Sequence, residues 1–404
     1  MPQRTDLDRW LADLRNGEAH YTLLAVCPTS DAVLRAALSA ASDAQAPLLL
    51  AATRNQVDVD GGYTGWTPTS FVQRVRALRQ QMPLSPPVLC CLDHGGPWCK
   101  DAERRAAVDW ETAYEGTQAT LRAGLEAGYR YAHIDTTVDP HHDGPLPVAI
   151  MVKRAAMLIE WAESYRTRHG HPPITYEVGI EEEAPGSWGD HLERLQQFLD
   201  QLYTTLPEAH YPSFVVSDVG TSFGTGAFDE TKARRVVEQV DTYGALVKSH
   251  YSDFVTPLDG FPRTGIGGAN IGPGLSAVEY DALCELEELA RRLDRTPHWH
   301  DALRQALVAS GRWRKWVDTD DAPFEALPTA TQRMLLSTGS RYVWTDPDVQ
   351  AARSELFDQV ADYRDADAYV QWRLRTAVLE MLHAFNLVGR ARSLRREEAD
   401  VSRS

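Results

Sequence analysis

Between Tyr21 and Asn270 a short apolar run recurs eight times, and this recurrence restricts the folds open to the chain more than any other feature. The runs are Tyr21 to Val26, Pro47 to Ala52, Val88 to Leu92, Tyr129 to Asp135, Ile174 to Gly179, Ser213 to Val219, Ala245 to His250 and Thr264 to Asn270. Their length and apolar character read as buried parallel strands. Helical spacing occupies the stretches between them: Asp31 to Ala41, Thr69 to Met82, Glu103 to Ala127, Leu146 to Arg168, Asp190 to Leu206 and Glu230 to Thr242. Strand alternating with helix over roughly 250 residues predicts a (β/α)8 TIM barrel. A doubly wound open sheet is disfavoured, because no G-x-G-x-x-G follows the first run.

The expected division is therefore a barrel over residues 1–275, with a helix at Leu7 to Leu14 closing one end, and a helical C-terminal extension over 276–404 packed on it. Helices are expected in the extension at Tyr280 to Leu293, Trp299 to Ser310, Val349 to Asp365 and Tyr369 to Leu387. Its Trp313, Trp316, Trp344 and Trp372 read as core or interface residues. The Arg- and Glu-rich residues after Leu387 read as frayed.

Composition removes several classes of function. A formal charge of -16 over 404 residues opposes nucleic acid, whose phosphates require a basic face. No apolar run approaches the roughly 18 to 20 residues of a membrane span, and no basic-then-apolar leader opens the chain, so a cytoplasmic protein without a membrane role is expected. Five cysteines, Cys27, Cys90, Cys91, Cys99 and Cys284, lack paired C-x-x-C spacing, which argues against a disulfide framework and a structural zinc site. A small molecule or a metal ion remains as the partner.

In a barrel of this kind chemistry belongs to the loops leaving the C-terminal strand ends. The third run ends in Asp93-His94-Gly95-Gly96-Pro97, an acid and an imidazole where a buried strand meets a loop. His250 ends the seventh run, Asp135 the fourth, and Glu177 lies in the fifth. Catalytic divalent metals take about three His or carboxylate ligands and keep a position open. His94 and His250 are the candidate imidazole ligands, with Glu177 or Asp135 completing the set. His133 and the pair His141-His142 are weaker candidates. Lys248 shares a strand face with His250 and offers Schiff-base chemistry instead. A salt bridge to Asp218 or Glu177 is the favoured reading of that lysine.

Several of these residues together resemble a known family. Asn55-Gln56-Val57 with Gly61-Gly62-Tyr63-Thr64-Gly65 and Thr67-Pro68 is similar to the signature of the accessory-subunit family of class II D-tagatose-bisphosphate aldolase. Asp93-His94 with Gly96-Pro97, the helix from Arg154 to Ser164, His250 with Ser252-Asp253, Asn270 to Pro273, and Arg341-Tyr342 with Trp344 match as well.

The resemblance implies a class II aldolase type of barrel in which a divalent metal, Zn, Mn, Ni or Co, polarises a ketose carbonyl. It also implies relatives that are ketose or tagaturonate epimerases, and others that stabilise a separate aldolase subunit. The C4 hydrogen of a 2-ketose is not acidic, so inversion at C4 requires retro-aldol cleavage of C3–C4, rotation of the aldehyde and re-addition. Asp93 would move the C4 hydroxyl proton.

The expectation is thus a metal-dependent ketohexose epimerase of the fructose/tagatose type, or else a non-catalytic subunit of a class II tagatose-bisphosphate aldolase. Asp93 and Glu177 are its catalytic residues, and His94, His250 and Glu177 its metal ligands. Asn55, Gln56, Asp135, Asp253, Asn270 and Ser30 are its sugar contacts, and a homo-oligomer is expected. Two departures bear on the substrate. The histidine usual after the sixth strand is replaced by Gly220-Thr221-Ser222-Phe223, and the glycine-rich phosphate loop after the seventh by Tyr251-Ser252-Asp253. With Glu181 to Glu183 expected at the mouth, an uncharged or weakly charged sugar is favoured.

Overall fold

Eight short strands, buried along most of their length, are the first structural consequence of the eightfold pattern: β1 (Leu23–Val26), β2 (Leu48–Thr53), β3 (Val88–Asp93), β4 (Tyr131–Ile134), β5 (Thr175–Ile180), β6 (Phe214–Ser217), β7 (Leu246–Ser249) and β8 (Gly268–Ile271). The computed structural model describes residues 6–16, 20–84, 86–180, 188–221, 228–317 and 322–391. All neighbouring strands pair in parallel in chain order, and β1 closes on β8 with Ala25 opposite Asn270. The result is the TIM barrel. Parallel strands covered by helices bury both faces, which is why these runs are continuously apolar rather than alternating.

Helices α1 (Asp6–Arg15), α2 (Asp31–Ala44), α3 (Pro68–Gln80), α4 (Asp101–Arg105), α5 (Trp110–Ala127), α6 (Val148–His169), α7 (Trp188–Thr205), α8 (Glu230–Asp241) and α9 (Gly260–Thr264) accompany the barrel. They are followed by α10 (Pro273–Arg292), α11 (Trp299–Ser310), α12 (Thr329–Gly339), α13 (Pro347–Val360) and α14 (Ala366–Ala384). The helix expected from Glu103 to Ala127 is broken in two. Ala107 takes a left-handed φ of 43°, and Asp109 starts α5 afresh by accepting the Thr112 N–H at 2.8 Å. Helix α10 starts two turns earlier than its apolar spacing predicts, at Pro273, a residue suited to the first helical position.

The chain after β8 returns to the barrel at two places relevant to function. Helix α14 packs along α2, where Arg35 holds Asp367 through two bonds of 2.8 and 2.7 Å. The segment around Tyr342 leans on the loop after β2, with the Tyr63 and Tyr342 rings edge to face at 5.3 Å and Thr345 Oγ1 donating to the Tyr63 carbonyl. Trp313 and Trp344 are buried, whereas Trp372 is 55% exposed on α14. No helix among the described residues is long and apolar enough to cross a membrane, and the five cysteines are free thiols.

Candidate active site

Asp93 is the last residue of β3, and the loop that follows is held tightly against its neighbours. His94 adopts φ 44°, after which the Gly95 N–H donates to the His133 carbonyl at 2.8 Å. At Gly96 a Cβ would fall 1.5 Å from the Asp135 carbonyl oxygen, so this close approach of the β3 loop to the end of β4 requires glycine. From the other side, buried Arg54 donates to the Gly96 carbonyl at 2.8 Å and to Thr117, Thr120 and Glu103. These contacts set the direction of His94.

Four side chains meet at the C-terminal mouth. Ligand atoms of Asp93, His94, His133 and His250 all lie within 4.8 Å of one another. The ring centroids of His94, His133 and His250 are 5.1 to 5.3 Å apart. Asp135 Oδ2 is 2.8 Å from His94 Nδ1, and its Oδ1 accepts from Thr137 N and Oγ1 at 3.1 and 2.7 Å. A carboxylate on one ring nitrogen takes the N–H there and puts the lone pair on the other nitrogen, Nε2. His133 Nδ1 is likewise 3.2 Å from Asp93 Oδ1. The Asn270 amide donates to Asp93 Oδ2 at 3.1 Å, while the buried Asn270 Oδ1 has no partner.

Glu177, expected as a metal ligand, is engaged by protein groups. Its Oε2 accepts from Lys248 Nζ at 2.6 Å and from the Tyr131 hydroxyl, and its Oε1 lies 3.0 Å from His250 Nε2. The carboxylate is engaged by these partners, and it meets His250 at the same nitrogen that lies 2.9 Å from the Asn270 amide nitrogen. His133, ranked low from sequence, stands in the cluster instead. Lys248 has the salt bridge favoured from sequence, with Glu177 as the partner.

Burial alone would raise the Asp93 and Glu177 carboxyls. His94 and His250 hold Asp93, and Lys248 and His133 hold Glu177, well below the usual carboxylate range. Asp135 is lowered similarly, by His94. Asp253 goes the other way. Burial pushes its carboxyl up to about 6, even though Gly272 and Gly274 donate their N–H groups to its Oδ1 at 2.6 and 2.7 Å.

The cluster opens into a cavity of about 430 Å³, lined also by Asn55, Gln56, Asp253 and Asn270. Asn55 spans the wall, donating to the Cys99 carbonyl and accepting from Asp101 N at 2.9 and 2.8 Å. Ser30 is not part of the lining. Its hydroxyl caps α2 through the Val33 N–H and donates to Glu279 at 2.6 Å. His141 and His142 are exposed, and His141 lies against the Val108 carbonyl. Glu181 to Glu183, Ser222 and Phe223 lie outside the described residues.

Sequence reasoning ranked His133 low, and it did not find the role of Arg54 or the place of four residues from beyond β8 in the cavity wall. His133 was detectable by period two on β4, since it shares the inward face with Tyr131. Arg54 carries no local signal of its partners. Lys315, Trp316, Arg341 and Tyr342 line the cavity from the segments after β8, and nothing in their own spacing marks them for it. Arg341, Trp316 and Lys315 surround the Tyr342 hydroxyl, Arg341 at 2.9 Å and Trp316 at 3.3 Å, and Arg341 and Lys315 lower its pKa against the effect of burial.

Residues 9–224 match the family described as D-tagatose-1,6-bisphosphate aldolase subunit GatZ/KbaZ-like. A curated relative, the D-tagatose 6-phosphate 4-epimerase of Agrobacterium fabrum, is 29% identical over 372 residues, covering 86% of this chain and 85% of the relative. A crystal structure of a probable tagatose 6 phosphate kinase from Sinorhizobium meliloti superposes with a TM-score of 0.74 at 22% identity, over 90% of this chain and 100% of that one. Fructose-bisphosphate aldolase from Campylobacter jejuni gives 0.55 at 10% identity, over 95% of this chain and 94% of that one. At such identities the structural likeness speaks for the fold alone.

Proposed function

Because the chain belongs to the D-tagatose-1,6-bisphosphate aldolase subunit GatZ/KbaZ-like family, we propose that it is a metal-dependent ketohexose 4-epimerase in which Asp93 moves the proton. The observation that carries the reading is the convergence of Asp93 with three histidines at the barrel mouth, one of them backed by Asp135.

The donor chemistry fits a divalent metal. Imidazoles with a carboxylate suit Zn, Co, Ni or Mn better than the all-oxygen sites of Mg or Ca. His94, His133 and His250 would hold the ion, with Asp135 orienting the ring of His94 from behind. When bound, it supplies Lewis acidity to the ketose C2 carbonyl.

Asp93 acts on the substrate itself. Its carboxylate, fixed by the Asn270 amide, takes the C4 hydroxyl proton as the C3–C4 bond breaks, and returns it when the rotated aldehyde is re-added on its other face. The unpartnered Asn270 Oδ1 accepts a substrate hydroxyl. Arg104 and Lys315 line the cavity beside the loop that follows β3, where Lys315 is 3.1 Å from Asp101. These cations favour a sugar that is anionic at one end, a ketohexose 6-phosphate, over the uncharged sugar expected from sequence. The name of the Agrobacterium fabrum relative points the same way.

The metal-loaded protein, incubated with D-fructose 6-phosphate, D-tagatose 6-phosphate and the free sugars, should form C4 epimers detectable by NMR. Elemental analysis should find a stoichiometric divalent metal that is lost in His94→Ala. The family description favours a second reading, a non-catalytic subunit that stabilises a separate aldolase. Absence of any epimer, together with co-purification of an aldolase subunit, would establish that reading instead. We further take the protein to be a homo-oligomer, which light scattering tests.

A further inference from the structure

We infer that Asp253 is a specificity determinant: it fills an anion-binding corner of the cavity with the protein's own carboxylate, so that this corner accepts a neutral hydroxyl and refuses a phosphate. The corner has the parts of a phosphate site. The N–H groups of Gly272, the N-cap of the 20-residue helix α10, and of Gly274, in its first turn, both donate to Asp253 Oδ1, and Arg341, held by Tyr342, lines the same cavity. Two backbone N–H groups at a helix N-terminus with an arginine beside them are what binds a phosphate or carboxylate. Here the anion is built in and fits closely, because a Cβ at Gly274 would fall 2.9 Å from the Asp253 Cβ.

The position of this corner tells which part of the substrate it meets. Asp253 follows His250 by three residues, and Gly272 follows Asn270 by two, so the corner adjoins the metal-binding cluster on the β7–β8 side. Arg104 lines the cavity from α4, on the β3 side, while Lys315 reaches Asp101 there and also the Tyr342 hydroxyl that Arg341 holds. With a ketohexose bound as proposed above, on which this step rests, C4 lies at Asp93 on β3 and the phosphate of C6 beyond it. C1, on the other side of the C2 carbonyl, is directed to Asp253, which accepts the C1 hydroxyl. A phosphate on C1 would meet a carboxylate at a site whose donors are already engaged.

Wild type, Asp253→Asn and Asp253→Ser, all metal-loaded, are titrated calorimetrically with inorganic phosphate, D-fructose 1-phosphate and D-fructose 6-phosphate. Wild type should bind the 6-phosphate in preference to the 1-phosphate. At least one variant should gain about tenfold or more in affinity for inorganic phosphate and for the 1-phosphate, and Arg341→Ala added to that variant should abolish the gain. Wild type binding both sugar phosphates equally would overturn the inference, as would two folded variants with no gain for either probe. If no ketose phosphate binds to any form, the functional reading fails, while the inorganic phosphate titrations still decide the role of Asp253.

Discussion

Two layers of charged side chains stand inside the barrel, one above the other. Tyr131 and Lys248 lie two residues before His133 and His250, one inward position beneath them. Glu177, opposite His133 in the β4–β5 register, joins Tyr131 and Lys248 through its Oε2 while its Oε1 reaches His250. The lower layer is closed. Lys248 and Glu177 are almost wholly buried and pair at 2.6 Å, with the lysine also 4.9 Å above the Tyr131 ring. The upper layer is open. His94 is 28% exposed toward the cavity, and Asn270 Oδ1 is without a partner. Buried charge is found in both layers, so burial does not mark a site. A polar atom without a partner beside a cavity does, and by that measure the lower layer is scaffold and the proposed chemistry belongs to the upper one.

The sharpest way to break this contrast is Asp93→Asn. It should reduce kcat on the order of a thousandfold, while bound metal and the urea midpoint stay near wild type. Loss of the fold in that variant would place Asp93 with the scaffold.

The converse test is Lys248→Met, which strands the Glu177 charge. Removal of one partner of a buried pair costs roughly 3 to 5 kcal/mol, to be measured by urea unfolding in the presence of a chelator. Adding Glu177→Gln should restore part of that loss. The pH dependence has a definite sign. Because Lys248 holds the Glu177 carboxyl below its ordinary value of 4.5, the stability from this pair is complete above that pH and is lost only as pH falls further. A smaller effect should separate the ligands from their supports. Asp135→Asn keeps the ring of His94 in place but weakens its orienting bond, and should lower metal affinity by about 10 to 100-fold in chelator competition.

The barrel was legible because its strands are buried on both faces and its helices on one, and each burial pattern leaves a periodic trace in the sequence. The upper layer was legible in part. Asp93, His94 and His250 stand at strand ends, where topology alone brings them together. His133 lies inside a strand, where a histidine is hard to tell from a packed one until its neighbours are known. Glu177 was expected as a metal ligand and also as one of two partners for Lys248, and the structure has the lysine contact, because which strand faces a buried carboxylate across the barrel is decided only by the fold. Lys315, Arg341 and Tyr342 could be placed only by tertiary packing. Their position in the cavity depends on contacts with residues nearly 300 positions away, such as Tyr63.

The crossing at Gly96 bears on how this site can be inherited. A side chain there would overlap the Asp135 carbonyl, so the backbones of two strand exits share one volume. If the proposed roles hold, exchange of Asp93 or His94 should leave a folded, inactive protein. Gly96 allows no such exchange, since any replacement would displace Asp135, and His94 with it. Across related chains, glycine at this position should therefore persist where the catalytic pair has been lost, as a record of the architecture that outlasts the activity.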